Sequence, residues 1–296
     1  MATLYLLLFL AVFLDTFKNI YYNFFGKNLL ETNKDTVFFN VIGSIGTVAF
    51  FALFLLFSNN SLSVSIYTFI SALIFAVITT AAQYFCLLSM SLGSMSFSVL
   101  FTYLSALIPT IFGIVYRQAS PTVLQISGLV LMIITFILSI DFEEKNSMSI
   151  KWLLAVFGSF LGMGLVGVCQ TVHQTSVFAG EIYGFLFWAF VFSLILFTVI
   201  YIPYSLKHKK QGREKKVYSK KDYAAMIITG IFVGAINLIC LYLSGKLPSI
   251  IFFPIVNGGV IILSGLASIF LFKEKLPAKK LIGLAVGIIA VCLIGI

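Results

Sequence analysis

The sequence predicts an all-α, polytopic membrane protein with ten transmembrane helices, arranged as two inverted repeats of five helices. Three observations support this fold class: an apolar composition, ten apolar stretches of membrane-spanning length, and an internal similarity between the two halves. Of the 296 residues, 60% are hydrophobic and only 10% are charged. Because soluble domains carry about 25% charged residues, this composition excludes a soluble domain.

The ten apolar stretches are separated by polar turns and prolines. About 20 helical residues cross a hydrocarbon layer of about 30 Å, and each stretch is close to that length. The polar stretch 141–151 divides them five and five, which predicts two domains, 1–145 and 146–296. The predicted spans cover residues 4–25, 36–57, 66–90, 95–116, 121–140, 151–176, 182–204, 223–245, 250–272 and 277–296.

The internal similarity is found when the chain is shifted by 155 residues. Ser89 then superposes on Ser244 and Gly128 on Gly283, with leucine and isoleucine matches in the same register. Because leucine matches are frequent in membrane sequences, the serines and the glycine carry the argument. Five spans is an odd number, so the second copy would cross the membrane in the opposite direction to the first.

Loop charges predict the orientation in the cell membrane. The loop between spans seven and eight has eight Lys and Arg residues from Lys207 to Lys221, whereas the loop between spans two and three has none. The loops on the side of this basic loop hold 16 of the 19 Lys and Arg residues. The positive-inside rule places that side in the cytoplasm and both termini outside. The net charge of +9 therefore indicates a membrane surface and no nucleic-acid partner.

Motifs for enzymatic chemistry and metal binding are absent from the sequence. It has no Walker motif, no His-Glu-x-x-His, no Gly-x-Ser-x-Gly and no carboxylate cluster. The four cysteines lie in apolar stretches without metal-ligand spacing, so we expect packing roles for them. The sequence therefore predicts no catalytic residues, no metal site and no cofactor.

The carboxyl-terminal hairpin carries a resemblance to a known family. Pro254 and Asn257 lie on one span, a Phe-Lys-Glu segment at 272–274 ends it, and Gly283 and Gly287 follow on the last span. This pattern resembles the EamA-like branch of the drug/metabolite transporter superfamily. The resemblance implies ten helices in two inverted repeats. It also implies termini in the cytoplasm, which the loop charges contradict, and we follow the charges.

The expected function is secondary active transport of a small organic metabolite or drug-like solute by alternating access, with proton coupling or exchange both open. The alternative is a membrane-embedded enzyme acting on a lipid or polyprenyl carrier, which would need acid and base groups clustered at one membrane interface. The expected partners are a small-molecule substrate and the lipid bilayer. We expect a monomer and leave a dimer open.

Asp15 and Lys18 are charged residues near the middle of the first span. A charge at the centre of a bilayer costs at least about 2.5 kcal/mol, so their presence needs a reason. Their spacing places both on one helical face, with Asn19 and Tyr22 extending the stripe. They either neutralise each other and dock the helix, or they bind substrate or a proton.

Polar residues in other spans complete the candidate substrate- or proton-binding site. His173 has a plain alternative, since a membrane histidine is more often a hydrogen-bonding contact between helices than a proton relay. Pro109 either bends span four to open a cavity or is merely tolerated. With the charge-based orientation the candidates form two shells about the midplane, as an inverted-repeat carrier requires. The further candidates are Gln83, Tyr84, Thr102, Tyr103, Gln170, His173, Asn237 and Asn257.

Overall fold

The structure is a computed structural model that describes residues 2–58, 62–93, 95–118, 121–139, 149–210, 216–273 and 278–295. These residues are almost entirely helical, which confirms the all-α prediction. The predicted domain boundary at 145 lies outside the described residues. The helices are α1 (Ala2–Asn28), α2 (Asn33–Ser58), α3 (Ile66–Leu92), α4 (Met95–Leu104), α5 (Leu107–Arg117), α6 (Val123–Ser139), α7 (Ile150–Gln174), α8 (Ile182–Lys210), α9 (Lys220–Lys246), α10 (Ser249–Phe272) and α11 (Ala278–Gly295).

Eight helical stretches of the described chain are long and apolar enough to cross a membrane. One of them, Ser98–Tyr116, combines most of α4 with α5. The remaining helices, α6 and α11, are apolar but shorter, with 17 and 18 residues. Large apolar side chains cover the outside, as Phe57 does with 87% exposure. The chain is therefore a polytopic membrane protein with apolar surfaces suited to lipid.

The predicted span 95–116 is present as one candidate crossing, Ser98–Tyr116, but its helix is interrupted between α4 and α5. Proline has no N–H group, and Pro109 would otherwise donate to the carbonyl of Ser105. The N–H of Ile108 donates to the Ser105 carbonyl instead, at 3.0 Å, in a tighter turn. The break favours the interpretation in which Pro109 opens a cavity, because Pro109 and Ser105 both line the cavity described below.

The helices pack in a bundle whose two halves are interleaved. Helix α3 packs on α7 and α8, α2 packs on α8 and α9, and α1 packs on α9 and α10. Helices α6 and α11 pack on each other along their length. The largest buried apolar cluster joins α1, α3, α4 and α10. Helices that carry predicted site residues in both halves therefore share one core.

Helices α2 and α9 approach each other through glycine. A methyl group on Gly230 would lie 1.8 Å from the carbonyl oxygen of Gly43, so no larger residue fits with the backbones in this position. The hydroxyl of Thr47 donates to the Gly230 carbonyl at 2.7 Å across this contact. Small residues let membrane helices pack closely when no hydrophobic effect drives them together.

Candidate functional site

A cavity of about 100 Å³ lies at the centre of the bundle, between α1, α3, α4, α5, α7, α9 and α10. Its walls include middle turns of α1, α3 and α9, the last turn of α4 and the first turns of α10. Ligand pockets for drug-sized molecules usually have about 300–1,000 Å³, so this cavity is compact in the present conformation. Eight of the twelve predicted site residues line it: Asp15, Lys18, Tyr22, Gln83, Tyr103, Gln170, Asn237 and Asn257.

The two charges of the cavity form an ion pair with each other. The Lys18 ammonium contacts the Asp15 carboxylate, and the side chains are only 7% and 9% exposed. The ammonium also donates to the Tyr103 hydroxyl at 3.2 Å and lies 5.7 Å and 5.8 Å from the ring centres of Tyr22 and Tyr103. Both proposed roles of the pair are therefore compatible with the geometry: it docks α1 to α4, and it borders the cavity.

Tyr103 connects three helices at the cavity wall. Its hydroxyl accepts from the amide of Asn19 at 3.1 Å, in addition to Lys18. Its backbone carbonyl accepts from the amide of Asn257 on α10 at 3.3 Å. The helix break after Leu104 lies one residue further along the chain, so α1 and α10 hold the residue immediately before the interruption.

The α3 wall offers polar groups without protein partners. The Thr79 hydroxyl is buried and has no hydrogen bond among the described residues. Gln83, one turn further on α3, lines the cavity as well, and its amide has no hydrogen-bond partner in the described part of the chain. Buried polar groups are normally satisfied by protein or water, so these two are suited to a solute or to bound water.

The second half of the chain contributes α7, α9 and α10 to the cavity wall. Gln170 on α7 donates to the side-chain oxygen of Asn237 on α9 at 3.3 Å. Asn237 in turn donates to the backbone carbonyl of Val233 at 2.9 Å. This wall is otherwise apolar, with Met163 and Val166 on α7. The charged wall of α1 thus faces neutral amide and apolar groups.

Four predicted residues lie away from the cavity. Asn19 is buried behind it, bonded to Tyr103. Tyr84 lies next to Tyr204 of α8, outside the cavity lining. The Thr102 hydroxyl bonds Ser159 on α7 at 2.8 Å. His173 lies near the end of α7, outside the lining. Neighbouring positions on a helix point about 100° apart, which is why Tyr103 reaches the cavity and Thr102 does not.

His173 belongs to a polar cluster at the face where α7 ends and α3 begins. Its ring stacks on Phe185 with centroids 4.2 Å apart, and its Nε2 lies 3.5 Å from the Thr68 hydroxyl. The contact joins α7 to α3, as expected for a hydrogen-bonding helix contact. Glu181 accepts from the N–H and the hydroxyl of Ser65 at 3.0 and 2.9 Å and so caps the start of α3.

The hydrogen bonds at this cluster stabilise the charged form of Glu181. Burial by itself would raise its pKa, but the bonds from Thr68 and Ser65 outweigh that effect and lower it. Glu181 directly precedes α8 in the chain but caps the start of α3, at Ser65, which lies 116 residues earlier.

A second polar cluster lies at the other face, where α1 ends and α2 and α9 begin. Asp35 accepts from Thr32 at 3.0 Å and from the Tyr218 hydroxyl at 3.1 Å. Burial, followed by the neighbouring Asp35 carboxylate, raises the pKa of Tyr218. Lys216 pairs with Glu31 beside it. Each face thus has two polar contacts, described above, that join the two halves of the chain.

Sequence reasoning missed several lining residues because each was judged by its own polarity. Thr79 lies four residues before Gln83, and Cys240 lies three residues after Asn237, so helical spacing from the predicted residues would have found both. The apolar lining residues carry no comparable signal in the sequence. Within the described residues, no group of three His, Cys, Asp or Glu side chains could hold a metal ion. The missed residues include Thr79, Ser105, Met163, Val166, Cys240, Phe252, Phe253 and Val256.

Comparisons with known proteins identify the fold only. No family model matches the sequence, and no curated protein matches it. The fold is similar to that of one protein solved by crystallography, with a TM-score of 0.68 and 12% identity over 99% of this chain and 96% of that one. At this identity the likeness extends to the fold alone, and it covers both chains almost completely.

Proposed function

We propose that the protein is a secondary active transporter of the drug/metabolite type, which moves a small organic solute by alternating access between two inverted five-helix halves. In this proposal α4 and α5 form one interrupted span, so that the eleven helices make ten crossings. The observation that carries the proposal is a cavity lined by helices from both halves of the chain, with a buried ion pair in its wall. The solute is the expected partner, and no catalysis is proposed.

In the proposed repeat, α1 of the first half corresponds to α7 of the second. An offset of 148 residues between these helices relates Lys18 to Val166 and Tyr22 to Gln170, and all four residues line the cavity. An inverted repeat places such positions on opposite walls around one site at the midplane.

Two further helix pairs follow the same rule with a different offset. Helices α3 and α9 begin at Ile66 and Lys220, 154 residues apart, and α4 and α10 begin with the same separation. This offset relates Gln83 to Asn237 and Tyr103 to Asn257, again all lining the cavity. It differs by one residue from the shift of 155 found in the sequence, and in the proposed repeat it pairs Tyr103 with Asn257.

The packing pattern is also consistent with an exchange of halves. The contact of α1 with α9 corresponds to that of α7 with α3, and the contact of α2 with α9 corresponds to that of α8 with α3. When the two halves are exchanged, the contact of α2 with α8 and the contact of α6 with α11 each remain between the same two helices. Two structurally similar halves that can rock against each other are what alternating access requires.

The chemistry of the cavity limits the solute. One carboxylate and one ammonium neutralise each other, and the remaining polar groups are neutral amides and hydroxyls. A multiply charged solute such as a nucleotide sugar would need several cationic partners, so we propose a solute of low net charge. Because the cavity has only about 100 Å³, the halves must separate for most organic solutes to enter.

A thermal-shift screen of the purified protein against a metabolite library tests this function. A solute that binds the folded state alone raises the melting temperature by mass action. The Gln83→Ala and Asn237→Ala variants should each reduce the shift, because they remove amides from opposite walls. The Thr198→Ala variant is the control, since its hydroxyl bonds only its own helix on the exposed side of α8. The proposal fails if hits are equally affected by the control, or if no hit is transported in proteoliposomes.

A further inference from the structure

A row of buried polar residues runs along α2 towards the cavity. Thr36, Asn40, Ser44 and Thr47 recur at helical spacing, and each is at most 4% exposed. They start near the face where α2 begins and reach its middle turn. Thr229 on α9 faces the same space. We call these five residues the polar seam, and the face at which α2 and α9 begin the basic face.

A small second cavity lies within the polar seam. It has about 10 Å³, close to the minimum that holds one water molecule. The Ser44 hydroxyl lines it and has no hydrogen-bond partner among the described residues. Asn40 satisfies its amide N–H locally, on the Thr36 carbonyl at 2.9 Å, so its side-chain oxygen remains for another donor. Tyr22 and Gln83 line this small cavity and also the central cavity, so the two are neighbours.

The corresponding region of the second half is sealed by aromatic side chains. Helix α8 begins at Ile182, 149 residues after α2, and this offset relates Ser44 to Ser193 and Asn40 to Ala189. Ser193 is fully buried and bonds Thr80 at 2.8 Å. Around Ala189 the core consists of phenylalanine rings such as Phe75 and Phe185, 5.2 Å apart. The two halves therefore differ at this one corresponding region, polar in the first and apolar in the second.

We propose that the polar seam is a one-sided access path for water and protons, which connects the basic face to the Asp15–Lys18 pair. A hydronium ion entering from the basic face gives its proton to the water in the small cavity, and that water releases a proton on its inner side. The proton forms an O–H bond with the Asp15 carboxylate, which then separates from Lys18. No proton is gained or lost by the water. This role rests on proton coupling of the proposed transporter.

Titratable side chains lie at both ends of the proposed path. At its mouth, Tyr218 bonds Asp35 at the basic face. At its inner end, other titratable side chains from α3, α4 and α9 surround the ion pair. The titratable and charged groups along the whole path are Glu31, Asp35, Lys216 and Tyr218 at the mouth, and Asp15, Lys18, Tyr22, Cys86, Tyr103 and Cys240 inside.

Silver ions test the path without any solute, because Ag⁺ is similar in size to a water molecule and binds thiolates. The Ser44→Cys and Ser193→Cys variants make the same near-isosteric change at corresponding positions. Protection of each new cysteine from later alkylation is measured on its own peptide by mass spectrometry, so native thiols remain in place. We expect the Ser44→Cys thiol to be protected about tenfold faster or more, since apolar burial keeps a thiol protonated and unreactive. Equal rates would overturn the path.

Sidedness and continuity are tested in vesicles of both orientations. Silver should act on the Ser44→Cys thiol from the basic face, and action only from the other face would refute the proposal. Native Cys240, which lines the central cavity, reports whether the path is continuous. Ser44→Leu, which fills the small cavity, should slow protection of Cys240 from the basic face, whereas Ser44→Ala should not. Equal rates in these two variants would show that the path ends in the seam.

A second pair of variants and the metabolite screen distinguish a failure of the access path from a failure to fold and from a failure of the transport proposal. If Ser44→Cys does not fold, Asn40→Cys with Ala189→Cys forms a second matched pair. A metabolite screen without hits would count against transport and leave the silver rates standing. Conversely, a transported solute with equal silver rates at the two serines would remove the path and retain the carrier.

Discussion

The buried ion pair gives the most demanding test of the site. Lys18→Met removes the ammonium and keeps the aliphatic stem, which leaves the Asp15 carboxylate without its partner. Asp15→Asn instead leaves the Lys18 ammonium in place. The ammonium still donates to the Tyr103 hydroxyl at 3.2 Å, and its nitrogen lies within 5.8 Å of the ring centres of Tyr22 and Tyr103. The two charges are therefore supported unequally by their surroundings, and the two single variants should differ.

The magnitudes follow from these contacts. Breaking a buried pair by removing one partner costs about 3–5 kcal/mol, which we expect for Lys18→Met. Cation–π contacts contribute about 0.5–2 kcal/mol, so Asp15→Asn should cost less by about 1–2 kcal/mol. The double variant buries no charge and should lie within about 1 kcal/mol of the wild type, because apolar replacement of buried pairs is often neutral. The double-mutant cycle should then give a coupling of at least about 3 kcal/mol.

The free energy of unfolding is measured by reversible unfolding in mixed SDS and detergent micelles. Lys246→Met is the matched control: its ammonium lies 5.9 Å from the Tyr242 ring centre, but at an exposed helix end. We expect this control to cost less than about 1 kcal/mol. Additive effects of the two single variants would refute a stabilising pair, and a larger loss in Asp15→Asn than in Lys18→Met would refute the support from the tyrosines.

Three further predictions concern orientation, packing and pH. Val217 is 91% exposed near the basic face, and Val217→Cys should be labelled only after permeabilisation of the cells. Val177 is 93% exposed at the other face, and Val177→Cys should be labelled in intact cells. The reverse pattern would place the termini inside. Gly230→Ala should destabilise the protein by about 1–3 kcal/mol or prevent folding, because its methyl group would meet the α2 backbone, and an unchanged melting temperature would contradict this contact. The pKa of Glu181 is lowered on folding, so its contribution to stability is present above the ordinary carboxyl pKa and is lost as the pH falls through the lowered value. Glu181→Gln should remove this acid-dependent loss of stability in melting curves. The same pH dependence in the variant would exclude Glu181 as its cause.

The candidate site illustrates how far single residues can be interpreted from the sequence. The facing of Asp15 and Lys18 followed from their spacing on one helix. The partnership with Tyr103 did not, because that residue lies 85 positions after Lys18. Thr102 and Tyr103 were both predicted as site residues, but only Tyr103 lines the cavity, whereas Thr102 bonds Ser159. One step along a helix turns the side chain by about 100°, enough to exchange a cavity wall for a buried contact.

The sequence by itself determined eight of the ten predicted spans as long apolar helices, since runs of apolar residues about 20 long depend only on local composition and on the thickness of a bilayer. It also predicted a charged pair on α1 and a candidate bend at Pro109. Only the tertiary structure decided which polar groups meet. Gln170 donates to Asn237, 67 residues further along the chain. Ser65 donates to Glu181, 116 residues further along. Apolar periodicity identifies a helix but not its neighbours, because in a membrane every apolar face is compatible with lipid, and the choice among faces depends on glycine contacts and polar bonds between distant segments.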